Sequence, residues 1–406
     1  MARNSKLKVL KKLVNDKHGA GTMSTAMYVM DMPRLSTGSL SFDRALGGGI
    51  PAGRTTIFRG SESSGKTTNA YRVLGLAQNI CANCYRPVHE LEFVEDKGDF
   101  SAVGECDCFQ GGLFETKQYP DEKNDEYKAR IKEYEKNSYE EYRVALIDME
   151  GAYDKEWAAK LGVDDRRLVY VRPDTAEEAM DIYDNLLRTG EVDLLVLDSI
   201  AAMTPSTEVT ESLEKWQQGL QARLMGKFSR KTQSGANSVA KEYKRLPTQL
   251  WINQEREKIG VMFGDNKVMP AGLAQLFAAS IIVKMWPSKW EKEVMDADLI
   301  KDYQMDIGTR VRMNFKVTKN KTAPAMQAGS FDMFTTGKEA GQIDQSKYIM
   351  ALAEKFGLFG SVGDGAKKMW KVGNKEFKTK KEAVEHITDP VVFRDVYDVL
   401  LKHLLG

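Results

Sequence analysis

Short continuous apolar runs recur along the chain and alternate with stretches of helical period. Residues 55–59, 143–148, 168–171, 193–198, 250–253 and 280–283 read as strands. Residues 68–79, 176–188 and most of 212–230 carry apolar positions at helical spacing. Strands apolar on both faces that alternate with helices predict an α/β fold, with a mostly parallel sheet covered on both sides.

The alternation breaks once. After the helix ending near residue 79, no strand returns until residue 143. Residues 80–142 therefore read as an insertion. Its first part holds all four cysteines, and its second, 121–143, is highly charged, with Tyr127, Ile131 and Tyr134 at helical spacing. At the N-terminus, residues 1–35 place Leu7, Leu10, Leu13 and Val14 on one helical face among Lys6, Lys8, Lys11 and Lys12. That helix is either solvated or docked on a neighbouring subunit. From about residue 336 onward the chain reads as a small, Lys-rich α+β segment, 336–406, after a core of 36–335.

The strand at 55–59 runs into Gly60-Ser61-Glu62-Ser63-Ser64-Gly65-Lys66-Thr67, followed by Thr68 and a helix. This fits the phosphate-binding loop G-x-x-x-x-G-K-[ST] in its required strand–loop–helix context. The glycines let backbone N–H groups turn inward on an anion, and the helix adds its positive dipole end. Lys66 is expected on the β- and γ-phosphates of ATP, and Thr67 on Mg²⁺. Asp198 ends an apolar strand as a second magnesium group, and Glu150 ends another strand, where it is placed to activate water.

Cys81, Cys84, Cys106 and Cys108 have the spacing C-x2-C-x21-C-x-C. A structural Zn²⁺ site is expected, with His89 as an alternative ligand and free thiols or a redox pair as the other readings. The 406-residue chain is 42% hydrophobic and 29% charged with a net charge of +1, so any nucleic-acid binding must come from local patches. No run approaches a membrane span and the basic N-terminus lacks a signal-peptide core, which predicts a cytoplasmic protein.

The motifs together resemble RecA-type homologous recombinases. The matching segments are Ser36-Thr37-Gly38-Ser39-Leu40-Ser41, the phosphate loop, Leu197-Asp198-Ser199-Ile200-Ala201-Ala202-Met203-Thr204-Pro205, Ile252-Asn253-Gln254, Lys258-Ile259-Gly260-Val261-Met262-Phe263-Gly264 and Lys319-Asn320-Lys321. The resemblance covers residues 5–335, interrupted by the insert. It is closest to the bacterial branch, and the insert suggests a divergent, phage-encoded member in a bacterial or phage-infected cell.

The resemblance implies roles. Glu150 is the catalytic glutamate, Asp154 and Trp157 contact adenine, and Gln254 senses the γ-phosphate. Lys319 and Lys321 reach the ATP of the neighbouring subunit. Two DNA segments are implied, 210–219 and 255–272. Arg223 and Arg230 touch phosphates, Arg256 and Lys258 add charge, and Ile259, Gly260 and Val261 wedge between base triplets. In the first segment stand Trp216 and Gln218, and Trp216 either stacks on a base or packs. The family's Gly-Gly near the end of the second segment is Ala271-Gly272 here. Phe277 matches an aromatic at the subunit interface, against the plain alternative of a core phenylalanine.

The implied function is ATP-dependent strand exchange by a homo-oligomeric helical filament on single-stranded DNA that searches homologous duplex. Single-strand-binding or mediator proteins are expected partners. A DNA motor of the same fold and a filament that only protects DNA are the alternatives.

Overall fold

The computed structural model describes residues 12–14, 16–17, 32–82, 85, 91–94, 99–102, 141–210, 219–257, 267–287, 310–337, 339–362, 369–372, 375–388 and 390–405. Its centre is one nine-stranded sheet. In chain order the strands are β1 (Thr55–Gly60), β2 (Val144–Asp148), β3 (Leu168–Val171), β4 (Leu194–Asp198), β5 (Thr248–Gln254), β6 (Ile281–Pro287), β7 (Arg310–Asn320), β8 (Ala328–Phe334) and β9 (Ile343–Asp344). Across the sheet they lie in the order β9-β8-β7-β6-β1-β5-β4-β2-β3. From β6 to β3 every pairing is parallel, whereas β6–β7, β7–β8 and β8–β9 are antiparallel. The sequence reading missed that antiparallel flank.

The parallel strands form because they bury both faces. Every residue of β2 and β4 is buried, as five-residue runs dominated by Val, Ala, Leu and Ile require. Helices α1 (Leu40–Leu46), α2 (Lys66–Ala77) and α3 (Lys155–Lys160) cover one face. Helices α4 (Ala176–Thr189), α5 (Leu220–Glu242) and α6 (Ala274–Ala278) cover the other. The N-terminus of α4 is fixed by Thr175, whose side chain accepts from Glu178 N–H, and its C-terminus by Gly190 at φ +70°. Such an N-cap is worth about 1 kcal/mol.

Helix α5 runs twelve residues past the Arg230 boundary read from sequence. Met225, Phe228, Thr232, Ala236 and Val239 keep a buried stripe along it. The fully buried Trp251 of β5 holds it in place, with its ring 5.4 Å from Phe228 and its Nε1 donating to Tyr183 Oη at 3.0 Å. Truncating a residue this deep costs about 3–5 kcal/mol.

The chain beyond β9 adds α7 (Ser346–Lys355), the three-stranded sheet β10 (Phe359–Val362), β11 (Met369–Val372) and β12 (Lys375–Phe377), then α8 (Lys380–Thr388) and α9 (Pro390–Leu405). Leu40 of α1 shares a buried cluster with Ile349, Phe359, Val372 and Leu400. Tyr397 also donates its hydroxyl to the buried Asp43 at 2.6 Å. No described helix is long and apolar enough to cross a membrane.

Candidate nucleotide and nucleic-acid site

Parallel strands bring their carboxyl ends to one edge of the sheet, where α/β folds build their sites. Here β1, β5, β4 and β2 are consecutive neighbours. Their ends therefore place Gly60, Gln254, Asp198 and Glu150 side by side.

The phosphate loop spans the turn from β1 to α2. Ser63 and Gly65 take φ +56° and +79°. A Cβ on Gly60 would stand 2.2 Å from the Met285 carbonyl, and one on Gly65 2.7 Å from Met313 Sδ. Both positions therefore demand glycine. Ser64 and Lys66 are buried, and Thr67 and Thr68 partly so, while Glu62 and Ser63 are exposed. Lys66 Nζ donates to the Ser61 carbonyl at 2.6 Å and to Ser64 Oγ at 3.3 Å. Burial lowers the Lys66 pKa, opposed by the negative charges of Asp198, Glu150, Glu255 and Glu62.

Thr67 donates its hydroxyl to Asp198 Oδ2 at 2.7 Å. The other oxygen, Asp198 Oδ1, is buried without a hydrogen-bond partner. Burial pushes the Asp198 carboxyl up to about 7; the Thr67 hydrogen bond opposes this, and Glu150 and Asp148 add to it. An orphaned, buried carboxylate oxygen beside a hydroxyl suits a hard divalent cation that takes its remaining ligands from phosphate and water. Among the described residues no group of three or more His, Cys, Asp or Glu side chains could hold a metal.

Glu150 Oε1 accepts from Ser199 Oγ at 2.6 Å and from Gln254 Nε2 at 2.9 Å. The Asp198–Ser199 peptide bond is cis. The turn that carries Glu150 is organised by Asp148, which sequence reasoning passed over. Its carboxylate accepts from Glu150 N, Gly151 N, Tyr153 N and Tyr170 Oη at 2.8–3.1 Å. A strand-end Asp two residues before a Glu was the available signal. Asp154 caps α3 by accepting from Trp157 N at 3.0 Å, and Trp157 Nε1 lies 3.5 Å from Thr68 Oγ1. Trp157 therefore stands beside the start of α2, on a helix whose N-terminus Asp154 caps.

Lys319 and Lys321 lie elsewhere. Lys319 pairs with Ile282, and Ile282 with Ile57. Lys321 N donates to the Ser280 carbonyl at 2.9 Å, and Ser280 N to the Thr55 carbonyl at 2.8 Å. Along the strand direction Lys321 thus lies level with the start of β1, about 17 Å from its phosphate-loop end, and Lys319 level with Ile57, about 10 Å from it, both two strands away across the sheet. Lys319 Nζ donates to the Leu276 carbonyl, and Lys321 Nζ to that of Phe277 at 3.4 Å. Burial, then the adjacent Lys321 charge, lowers the Lys319 pKa. Phe277 is 76% exposed, which overturns the core alternative for this residue.

Helix α5 presents Arg223 and Arg230 to solvent on one face. Lys227, exposed between them at i+4, was not singled out from sequence. Arg230, Gln233, Asn237, Lys241 and Phe277 line a groove of about 780 Å³ between α5 and α6. The segment 255–272, expected from the resemblance to meet DNA, ends beside the same helix. Gly272, at φ +75°, packs so closely that a Cβ would stand 2.9 Å from Ala222 Cβ. Ala271 takes φ +64°, a left-handed conformation costing a non-glycine residue about 1–2 kcal/mol. Asn253 Nδ2 donates to Gln275 Oε1 at 2.7 Å, and Gln275 Nε2 donates to the carbonyls of Pro270 and Gly272. This buried network, also unread in the sequence, ties the segment to β5 and α6. The base of the segment is a short ladder, Arg256–Glu257 against Lys267–Val268, with Arg256 exposed.

Several expected residues lie outside the described ones: Trp216, Gln218, Lys258, Ile259, Gly260 and Val261, and also Cys84, His89, Cys106 and Cys108. Cys81 is described; it is buried and forms an isolated bridge with Glu141.

Comparison with known proteins accords with this geometry. A family model described as the RecA N-terminal domain matches residues 6–88 and 130–339. The chain is 33% identical to Protein RecA of Clostridium acetobutylicum over 339 residues, which cover 83% of this chain and 75% of that one. It is 32% identical to Protein RecA of Cytophaga hutchinsonii over 368 residues, covering 89% and 81%. For Protein RecA of Cutibacterium acnes the identity is 30% over 397 residues, covering 96% and 89%. With the phosphate loop, the acidic strand ends and the Gln254–Glu150 contact in place, the chain belongs to the RecA family.

Proposed function

We propose that this protein is a DNA-dependent ATPase that assembles head to tail on single-stranded DNA and exchanges strands with a homologous duplex. The observation that carries the reading is the pair of hydrogen bonds to one oxygen of Glu150 from Ser199 and Gln254. It links the candidate base to the strand from which the second DNA segment departs.

In this reading the loop 60–68 and Lys66 bind the ATP phosphates, and Asp154 and Trp157 flank the adenine. Thr67 and Asp198 would hold Mg²⁺, which neutralises phosphate charge when bound. Glu150 orients and deprotonates the attacking water. Gln254 leaves or keeps Glu150 according to whether a γ-phosphate offers it a better partner. Asn253, Gln275 and the ladder at Arg256 then carry that choice to the DNA segment. Arg223, Lys227, Arg230 and Arg256 meet phosphates, and residues 258–261 meet bases.

The placement of Lys319 and Lys321 supports assembly. Their ammonium groups are held on the carbonyls of Leu276 and Phe277 rather than at their own phosphate loop, beside an exposed phenylalanine. A contact that joins one edge of a subunit to the opposite edge of the next is heterologous, and it grows a helix when it does not close. Structural zinc at Cys81, Cys84, Cys106 and Cys108 rests on their spacing alone.

The test of the ATPase is steady-state hydrolysis with and without single-stranded DNA. Turnover that rises with DNA and is lost in Lys66→Ala supports the reading. Turnover indifferent to DNA contradicts it.

A further inference from the structure

A buried ion pair joins the two functional segments. Arg59 is the last residue before Gly60, and Glu255 the first after Gln254. Gly60 and Gln254 are in parallel register, and Glu255 N donates to the Gly60 carbonyl at 2.9 Å. Arg59 Nη1 stands 3.0 Å from Glu255 Oε1, and the two side chains are 16% and 1% exposed.

The pair is poorly made as a fastener. Among the described residues neither Glu255 carboxylate oxygen has a hydrogen-bond partner, and Arg59 Nε has none either. The guanidinium is close but off-line, so the attraction is Coulombic alone. Buried charges held this way gain little over a well-packed apolar pair. Stability therefore does not explain them. Position does. Glu255 lies between Gln254, which reaches Glu150, and Arg256, which opens the ladder of the second DNA segment. Its charge also acts on Lys66 of the phosphate loop.

We infer that Arg59 and Glu255 are positioning residues that couple nucleotide binding at the phosphate loop to the seating of the second DNA segment. The inference rests on the nucleotide- and DNA-binding reading above. Without the pair, each ligand would still bind, but neither would strengthen the other.

The test is fluorescence anisotropy of labelled oligothymidylate with the full chain, with and without Mg²⁺ and a non-hydrolysable ATP analogue. The readout is the ratio of the two DNA dissociation constants. Glu255→Gln leaves Arg59 buried and unpaired. The double variant Arg59→Met with Glu255→Met removes both charges and keeps an apolar filling, and its thermal melt reports on folding. The expected result is a ratio reduced about fivefold or more in both variants, the lower end of ordinary coupling between sites. DNA affinity without nucleotide should change by less than that. A folded double variant with the wild-type ratio overturns the inference, as does an equal loss of affinity with and without nucleotide. A wild-type protein whose DNA affinity ignores nucleotide overturns the underlying reading and the inference with it.

Discussion

Lys321 and Gly60 stand at opposite edges of one sheet. Lys321 N is bonded to Ser280, Ser280 to Thr55, and Thr55 begins the strand that Gly60 ends. On the proposed reading, a cation at one edge and a phosphate loop at the other would complete a site when two copies meet. Lys66→Ala protein and Lys319→Ala/Lys321→Ala protein are each expected to be inactive alone. Mixed in equal amounts they should recover turnover, because about a quarter of heterologous junctions then pair an intact loop with intact lysines. An ATPase assay across mixing ratios measures this. No recovery at any ratio would mean that the lysines do not act across subunits.

Glu150 and Gln254 share a hydrogen bond but should fail differently. Glu150→Gln is expected to lower turnover by about 10²–10⁴-fold, the usual worth of a general base, with ATP still bound. Gln254→Ala keeps the base and should retain DNA-independent turnover while losing its stimulation by DNA. Steady-state kinetics with and without oligothymidylate separates the two. Equal loss in both assays for Gln254→Ala would leave it no sensing role.

The exposed face of α5 should bind phosphate. Arg223→Ala, Lys227→Ala and Arg230→Ala are each expected to weaken single-strand binding alike on all sequences. Each should make the plot of log affinity against log salt shallower by about 0.7, the single-strand value per contact. Titrations at several salt concentrations test this. Lys227 is the informative case, since a wild-type slope there would place the DNA track beside it rather than over it.

Metal content addresses the cysteines. Protein purified without chelator is expected to hold about one zinc per chain, and Cys84→Ser to lose it. Wild-type protein free of zinc by elemental analysis would remove the proposal.

How much could be read in advance depended on range in the sequence. The phosphate loop was legible because motif, strand and helix are contiguous. Asp198 was legible as an acid ending an apolar strand; Glu150, expected at a strand end as well, stands two residues past the end of β2, which Asp148 closes. The Asn253–Gln275 network was not, because neither residue signals a partner until α6 folds back on β5. The sequence pattern predicts α5 only to Arg230 because Ser234, Gly235, Asn237 and Ser238 have loop composition. Its buried stripe of Thr232, Ala236 and Val239 overrides that local preference. Strand β7 had its signal in plain sight. Val311, Met313, Phe315 and Val317 alternate as buried residues with Arg310, Arg312, Asn314 and Lys316, a half-polar pattern unlike the continuous apolar runs of the parallel strands.

The central claim is strand exchange, and it is tested most directly by pairing single-stranded DNA with a labelled homologous duplex in the presence of ATP and Mg²⁺. A heterologous duplex and Lys66→Ala protein serve as controls. Product that requires homology and vanishes in the variant is the expected result. DNA-stimulated ATP hydrolysis with no homology-dependent product would contradict the account and leave a motor or a protective filament in its place.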